Sequence, residues 1–246
     1  MQSSENRSIR VAAVADLHMR DSVVGAFRPA FTDLAAHADV LLLAGDLTEG
    51  GTLREADLLC AEIAALPVPV VAVLGNHDHD HKQGYRIAAM LTALGVHLLD
   101  GDAITLDVAG TQLGIAGVMG GSGGFPRYPG TPDEGTIEHR ARMRRGPLDA
   151  LRLHQALDTL TCETRIALMH FAPVTDTLVG EPRKIYPGLG CHNLAEAVDA
   201  GRATLAIHGH AHGGTEFGRT AGGVPVRNVS YPVIGRSYAV YKVAPA

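Results

Sequence analysis

The sequence predicts an α/β fold: a mainly parallel sheet with crossover helices, and a second sheet beside it. Three observations carry this. Five short apolar runs are nearly continuous in Val, Ile, Leu and Ala without alternation, the pattern of strands covered on both faces. Helix-like stretches separate the first of these runs, and such β-α alternation favours parallel pairing. Further strand-like segments lie outside that alternation and require a sheet of their own.

In chain order, the apolar runs are residues 9–15, 40–44, 68–74, 165–169 and 204–207. The helix-like stretches are 28–37, 53–66 and 84–94. Residues 103–118 read as a hairpin turning at Ala109-Gly110, and 224–229 with 238–243 give further strands. From 119 to 132 the chain is rich in Gly and Pro, and 133–160 is helical in pattern with a break at Gly146-Pro147. We read this stretch, about 119–160, as an active-site loop plus helices inserted in a single domain spanning 1–246.

Composition narrows the function classes. With 246 residues, 46% hydrophobic and 19% charged, the chain can bury the core of one domain. A net charge of −5 supplies no basic field for gripping a nucleic-acid backbone, so strong nucleic-acid binding is not expected. Cys60, Cys162 and Cys191 are too few and too scattered for a disulfide framework, which points to a reducing, cytoplasmic setting. The start is polar, and no later apolar run approaches the ~18 residues of a membrane span. Histidine is the unusual component: 13 copies stand against 5 Phe, 6 Tyr and no Trp. Imidazole has been placed where packing does not demand it, which suggests metal chemistry.

Each of the five apolar runs ends in a polar cluster: Asp16-Leu17-His18, Gly45-Asp46, Gly75-Asn76-His77-Asp78, His170, and His208-Gly209-His210-Ala211-His212. In open α/β sheets, sites form outside the carboxyl ends of the strands. Asp16 and His18 are two residues apart, so an extended geometry would send both side chains the same way, and carboxylate and imidazole can share one ion. His210 and His212 repeat that spacing, with Gly209 leaving room for close backbone approach. Asp46, at the end of a buried strand, either meets a cation or caps the next helix. Residues 75–78 add an amide oxygen, an imidazole and a carboxylate where a plain turn would need only Gly and Asn. Taken singly, Asp-x-His is common by chance and His170 reads as an ordinary packed residue. One two-metal site accounts for all five strand ends at once.

In this order, Asp-x-His, Gly-Asp, Gly-Asn-His-Asp, His and Gly-His-x-His resemble the calcineurin-like metallophosphoesterases, and the resemblance spans Asp16 to His212. It implies a four-layer α/β/β/α sandwich of two mixed sheets flanked by helices. It also implies that Asp16, His18 and His212 hold one ion, that Asn76, His170 and His210 hold a second, and that Asp46 bridges them. The two ions would be divalent or trivalent, drawn from Mn, Fe and Zn, because mixed imidazole and oxygen ligands do not select one sharply. Such a pair can clamp phosphate oxygens and acidify a shared water enough to supply hydroxide as nucleophile. His77 matches the family's non-ligand histidine, which stabilises phosphoryl charge or protonates the leaving oxygen. Asp78 would orient it by accepting from its other ring nitrogen. The expected activity is hydrolysis of a phosphodiester, a small molecule or a nucleotide such as a cyclic nucleotide. The alternatives are a phosphomonoesterase acting on a phosphorylated metabolite or protein, and a non-catalytic metal-binding interaction platform. Retention of His77 and of every metal position speaks against the platform.

Arg127 in the Gly-rich loop, Arg183 and His192 are candidate substrate contacts. His79, Asp80 and His81 read as a solvated polar loop, and His208 as a packing residue rather than a ligand. Cys191 reads as a packed thiol and Asn193 as the N-cap of the helix that follows. Arg140, Arg142, Arg144 and Arg145, at near-helical spacing, read as a solvated helix face. His37, His97, His139 and His154 are assigned to surface or core.

Overall fold

The computed structural model describes residues 8–64, 66–108 and 110–244. The polar start (1–7), Ala65 of the second predicted helix and Ala109 of the predicted turn lie outside them. The strands are β1 (Ile9–Val14), β2 (Val40–Ala44), β3 (Val70–Val73), β4 (His97–Leu98), β5 (Asp102–Val108), β6 (Thr111–Val118), β7 (Gly124–Phe125), β8 (Tyr128–Pro129), β9 (Thr164–Met169), β10 (Leu205–His208), β11 (Phe217–Arg219), β12 (Pro225–Asn228) and β13 (Ala239–Val243). The helices are α1 (Arg28–Thr32), α2 (Leu34–His37), α3 (Leu53–Ile63), α4 (Gly84–Ala93), α5 (Ile137–Asp158), α6 (Tyr186–Leu189), α7 (His192–Ala200) and α8 (Tyr231–Ile234).

Two sheets carry the fold. The first runs β13-β1-β2-β3-β4, with β1 to β4 parallel and β13 antiparallel at its edge. The second runs β11-β12-β10-β9-β6-β5, parallel through its four inner strands and antiparallel at both edges. The pleat explains why the inner strands read as unbroken apolar runs. In β1, Val11 and Ala13 face the other sheet with Leu42, Val71, Ile115 and Ile166. Ala12 and Val14 face the helices instead, packing with Phe31, Leu34, Leu59 and Leu91. On the far side, Val118, Ala167 and Met169 pack under Leu153 and Leu157 of α5 and Leu194 and Val198 of α7. The layers are therefore α/β/β/α.

Three details differ from the expectation. Residues 239–243 do not extend the second sheet but pair with β1, with Ala13 opposite Ala239. Asn193 is not the N-cap of α7: the helix begins at His192 after Cys191, and the Asn193 side-chain oxygen accepts from the Cys191 thiol at 3.2 Å. Nor does α5 break at Gly146-Pro147; it runs 22 residues through the proline. Pro147 has no N–H to donate, and the Gly146 N–H meets the Ser122 carbonyl at 3.1 Å. A Cβ at residue 146 would run into that same oxygen, so glycine is what lets α5 seat on the Gly-rich loop. This tertiary contact keeps the two halves of the helix in line.

Candidate metal centre

The carboxyl ends of β1, β2 and β3 in one sheet and of β9 and β10 in the other meet at a common rim. There Ala15 N donates to Val229 O and Tyr231 N to Ala15 O, both at 2.9 Å, joining the two sheets. The expected ligands gather in two linked clusters. Asp16, His18 and His212 offer ligand atoms within 4.8 Å of one another, and Asp46, His170 and His210 do the same. Asp46 also groups with His18 and His77, so it lies between the clusters. Asn76 borders the same cavity as His210.

The backbone is bent to deliver these side chains. Asp16, His18, Asp46 and His210 have φ of 58°, 44°, 48° and 67°, a left-handed conformation that L-residues other than glycine rarely adopt. Each such residue costs on the order of 1 kcal/mol or more and persists where its surroundings over-determine it. They do so here. Asp16 N donates to Gly45 O at 2.9 Å and His18 N to Asp46 O at 3.1 Å. His210 N donates to Asp16 Oδ2 at 3.0 Å and His77 N to Asp46 Oδ1 at 2.9 Å. A Cβ on Gly209 would fall 2.5 Å from Asp16 Oδ2, which accounts for the glycine between His208 and His210. Asp46 caps no helix; Thr52 and Glu55 cap α3 with a reciprocal box.

The electrostatics are those of a site built for cations. Asp16 and Asp46 are buried. Burial works to raise the Asp46 carboxyl, but the His170 imidazole, 3.2 Å away, outweighs it and holds the group below the usual carboxylate range. Burial likewise works to lower His170, and Asp46 overrides it, pushing the imidazole up to about 9. His210 is held down to about 3 by burial and by His170 beside it. His170 Nδ1 lies 2.9 Å from the Ala44 carbonyl, which can only accept, so Nδ1 carries a hydrogen and Nε2 is the nitrogen turned to Asp46 Oδ2, 3.2 Å away.

The donor set fits divalent metal ions. His18 Nδ1 and Nε2 and Asn76 Oδ1 are buried without a hydrogen-bond partner among the described residues. Orphaned buried polar atoms cost ~1–3 kcal/mol each unless they meet a ligand, and here they converge with two carboxylates.

His77 and Asp78 part company. His77 is half-buried, with its ring edge-on to His18 at 4.8 Å and its Nε2 4.0 Å from Asp46 Oδ2. Its Nδ1 meets the Glu49 carbonyl at 2.7 Å and lies 3.5 Å from Asp80 Oδ2. The expected bond from this nitrogen to Asp78 is therefore not made. Asp78, fully buried, instead accepts from Thr48 Oγ1 at 2.6 Å, from Thr48 N and Gly75 N at 2.8 Å, and from Leu47 N at 3.2 Å. The reason is local: residues 77–79 form a 3-10 turn, which sends neighbouring side chains to different sides.

The remaining candidates divide. His208 is buried against Thr177, with burial lowering its pKa to about 4, and is a packing residue. Cys191 is buried, and burial pushes its thiol up. His79 and His81 are exposed, as expected for a polar loop, and His37 and His97 are exposed as well. Arg127 and His192 come together in a cavity of about 390 Å³ that none of the metal-ligand candidates borders, while Arg183 is exposed at a 3-10 turn. The cavity that does touch the ligands, about 320 Å³, is bordered by Asn76 and His210 together with Asp80, Arg142 and Arg145. The sequence reads Asp80 as part of a solvated loop and the two arginines as a solvated helix face, and it gives no signal for Glu49, whose carboxylate lies 3.5 Å from His18 Nδ1.

Paired Asp/His clusters at the shared rim of a two-sheet sandwich, taken with the family match that covers them, place the chain among metal-dependent phosphoesterases. The family model described as calcineurin-like phosphoesterase matches residues 9–214, and the chain belongs to that family. It is 29% identical over 93 residues to a probable cyclic nucleotide phosphodiesterase of Moraxella catarrhalis (strain BBH18), a match covering 35% of this chain and 33% of that relative. The match thus spans about a third of the relative's length. Among solved structures, TT1561 of Thermus thermophilus superposes with a TM-score of 0.63 at 16% identity, covering 96% of this chain and 99% of the other. A putative 5′-nucleotidase from Staphylococcus aureus gives 0.59 at 15% identity, over 90% of this chain and 48% of that one. Both share the fold. No helix among the described residues is long and apolar enough to cross a membrane.

Proposed function

We propose that this chain hydrolyses phosphodiesters, with a small molecule or a nucleotide such as a cyclic nucleotide as substrate. In this reading Asp16, His18 and His212 hold one metal ion, Asn76, His170 and His210 a second, and Asp46 bridges them, the metals being Mn, Fe or Zn. When bound, the ions supply Lewis acidity toward phosphate oxygens and an acidified water.

The observation that carries the diester reading is the pose of His77. Its Nδ1 is fixed by the Glu49 carbonyl, and its Nε2 turns to the cluster side, 4.0 Å from Asp46 Oδ2. A proton at Nε2 can pass to the departing oxygen, a transfer that matters most for the poor alkoxide leaving group of an alkyl diester. Asp80 Oδ2 lies 3.5 Å from the same Nδ1. The name of the Moraxella relative, a probable cyclic nucleotide phosphodiesterase, supports the same substrate class. Three free cysteines support a reducing, cytoplasmic setting.

The test is manganese-reloaded protein acting on bis(p-nitrophenyl) phosphate and on p-nitrophenyl phosphate. Faster manganese-dependent cleavage of the diester is expected; a monoester preference would overturn the reading. His77→Ala should retain its metal content and lose ~10²–10⁴-fold in turnover of an alkyl diester, the range of a positioned general acid. Unchanged turnover would remove the acid role.

A further inference from the structure

We propose that Arg142 and Arg145 of α5 form an anion subsite beside the metal centre, which selects substrates carrying a second phosphate beyond the scissile one. The inference rests on the phosphoesterase reading above and goes beyond it to the substrate's charge. Both arginines border the cavity of about 320 Å³ that also touches Asn76 and His210, so a group leaving the metal ligands in this direction meets them.

Their chemistry is that of a receptor for anions. Arg142 is exposed, and its side chain makes no hydrogen bond or ion pair among the described residues, so its guanidinium is available to a ligand. Arg145 is held through Nε by Asp149 Oδ2 at 3.1 Å, which leaves its two terminal nitrogens to point elsewhere. Asp149 is itself buried and fixed by Gly120 N at 3.1 Å and by Arg152 at 3.0 Å, so Arg145 is braced before any ligand arrives. Their neighbours on the same helix are engaged elsewhere: Arg140 bonds the Gly135 carbonyl at 2.6 Å and Arg144 bonds Asp133 at 2.9 Å. Asp80, the carboxylate that borders the cavity, lies against His77.

The helix is also docked to present these two residues. The Gly146 N–H bonds Ser122 O, and a Cβ at residue 121 would lie 2.7 Å from Gly146 N, so α5 sits directly on the loop that borders the cavity. Arg142, unpaired, and Arg145, paired with Asp149 through Nε alone, border this cavity together. Guanidinium matches phosphate by parallel N–H to oxygen bonds, and each charge-assisted bond discriminates strongly when the anion is missing.

Two matched measurements test this. The first compares kcat/KM for the p-nitrophenyl ester of thymidine 5′-phosphate with and without a 3′-phosphate, using manganese-loaded protein. The second, which needs no turnover, compares binding of thymidine 3′,5′-bisphosphate and thymidine 5′-phosphate by calorimetry. In the wild type the extra phosphate is expected to improve both at least about tenfold, mainly in KM for the ester. Arg142→Ala should bring both ratios to about one, and Arg142→Lys should restore part of the preference. Ratios of one in the wild type, or ratios that Arg142→Ala does not change, overturn the anion subsite while leaving the phosphoesterase reading intact. A tenfold binding preference lost in Arg142→Ala, with neither ester cleaved, upholds the subsite and counts against the phosphoesterase reading instead.

Discussion

Asp46→Ala is expected to empty the centre of metal and to lower phosphoesterase turnover by at least ~10²–10³-fold, the scale of losing one group that stabilises transition-state charge. Asp46 is the residue shared by two ligand groups, one with His18 and His77 and one with His170 and His210. Its Oδ2 lies 3.2 Å from His170 Nε2, and its Oδ1 accepts the His77 N–H at 2.9 Å. Removing it strands His170 as a buried imidazole whose partner has gone, so the metal-free protein should also unfold more easily, by ~3–5 kcal/mol. Asp46→Asn separates the two effects. The amide oxygen can still accept the His77 N–H and keep the loop, but it brings no negative charge. We expect Asp46→Asn to recover most of the thermal stability and little of the metal content, measured by elemental analysis of manganese-loaded protein. A variant that held its full metal complement and turned over normally would remove Asp46 from the bridging position.

The sequence makes the rim of this site legible because strands covered on both faces leave an apolar run whose end is unmistakable. Asp16, Asp46, Asn76, His170 and His210 each lie within three residues of the end of such a run, where the rule that sites form at strand ends places them. What stayed hidden depends on tertiary placement. The left-handed backbone at Asp16, His18, Asp46 and His210 arises from hydrogen bonds between loops, and no local pattern encodes it. Asp78 follows His77 in sequence, but the 3-10 turn separates their side chains. Arg142 and Arg145 look like any solvated basic helix face until α5 is seated on the Ser122 loop. That seating goes with a helix that runs unbroken through Pro147, held to the loop by the Gly146 N–H bond to Ser122 O. The C-terminal strand is illegible for a related reason: nothing in residues 239–243 says which of two sheet edges it will join, and the choice of β1 is made by the pairing of Ala13 with Ala239.

Asp78→Ala should therefore act on the frame of the site and not on the orientation of His77. Four donors converge on this one buried carboxylate: Leu47 N, Thr48 N, Thr48 Oγ1 and Gly75 N. Leu47 and Thr48 follow Asp46, and Gly75 precedes Asn76, so Asp78 ties the loop after β2 to the loop after β3 at the point where each presents a ligand. Alanine leaves three backbone N–H groups without their acceptor in a dry environment, at ~1–3 kcal/mol each. A loss of about 3 kcal/mol corresponds to a fall in Tm of ~6–12 °C for a chain of this size. Metal content and turnover should fall together, because Asp46 and Asn76 lose their common brace. Asp78→Asn should recover only part of the stability, since one amide oxygen replaces two carboxylate oxygens and the new NH₂ group faces donors. An orienting role predicts something different: an unchanged Tm, full metal content, and a loss confined to turnover and its pH profile. Thermal melting, elemental analysis and a pH–rate profile on Asp78→Ala distinguish the two, and the orienting pattern would overturn the assignment of Asp78 as a structural brace.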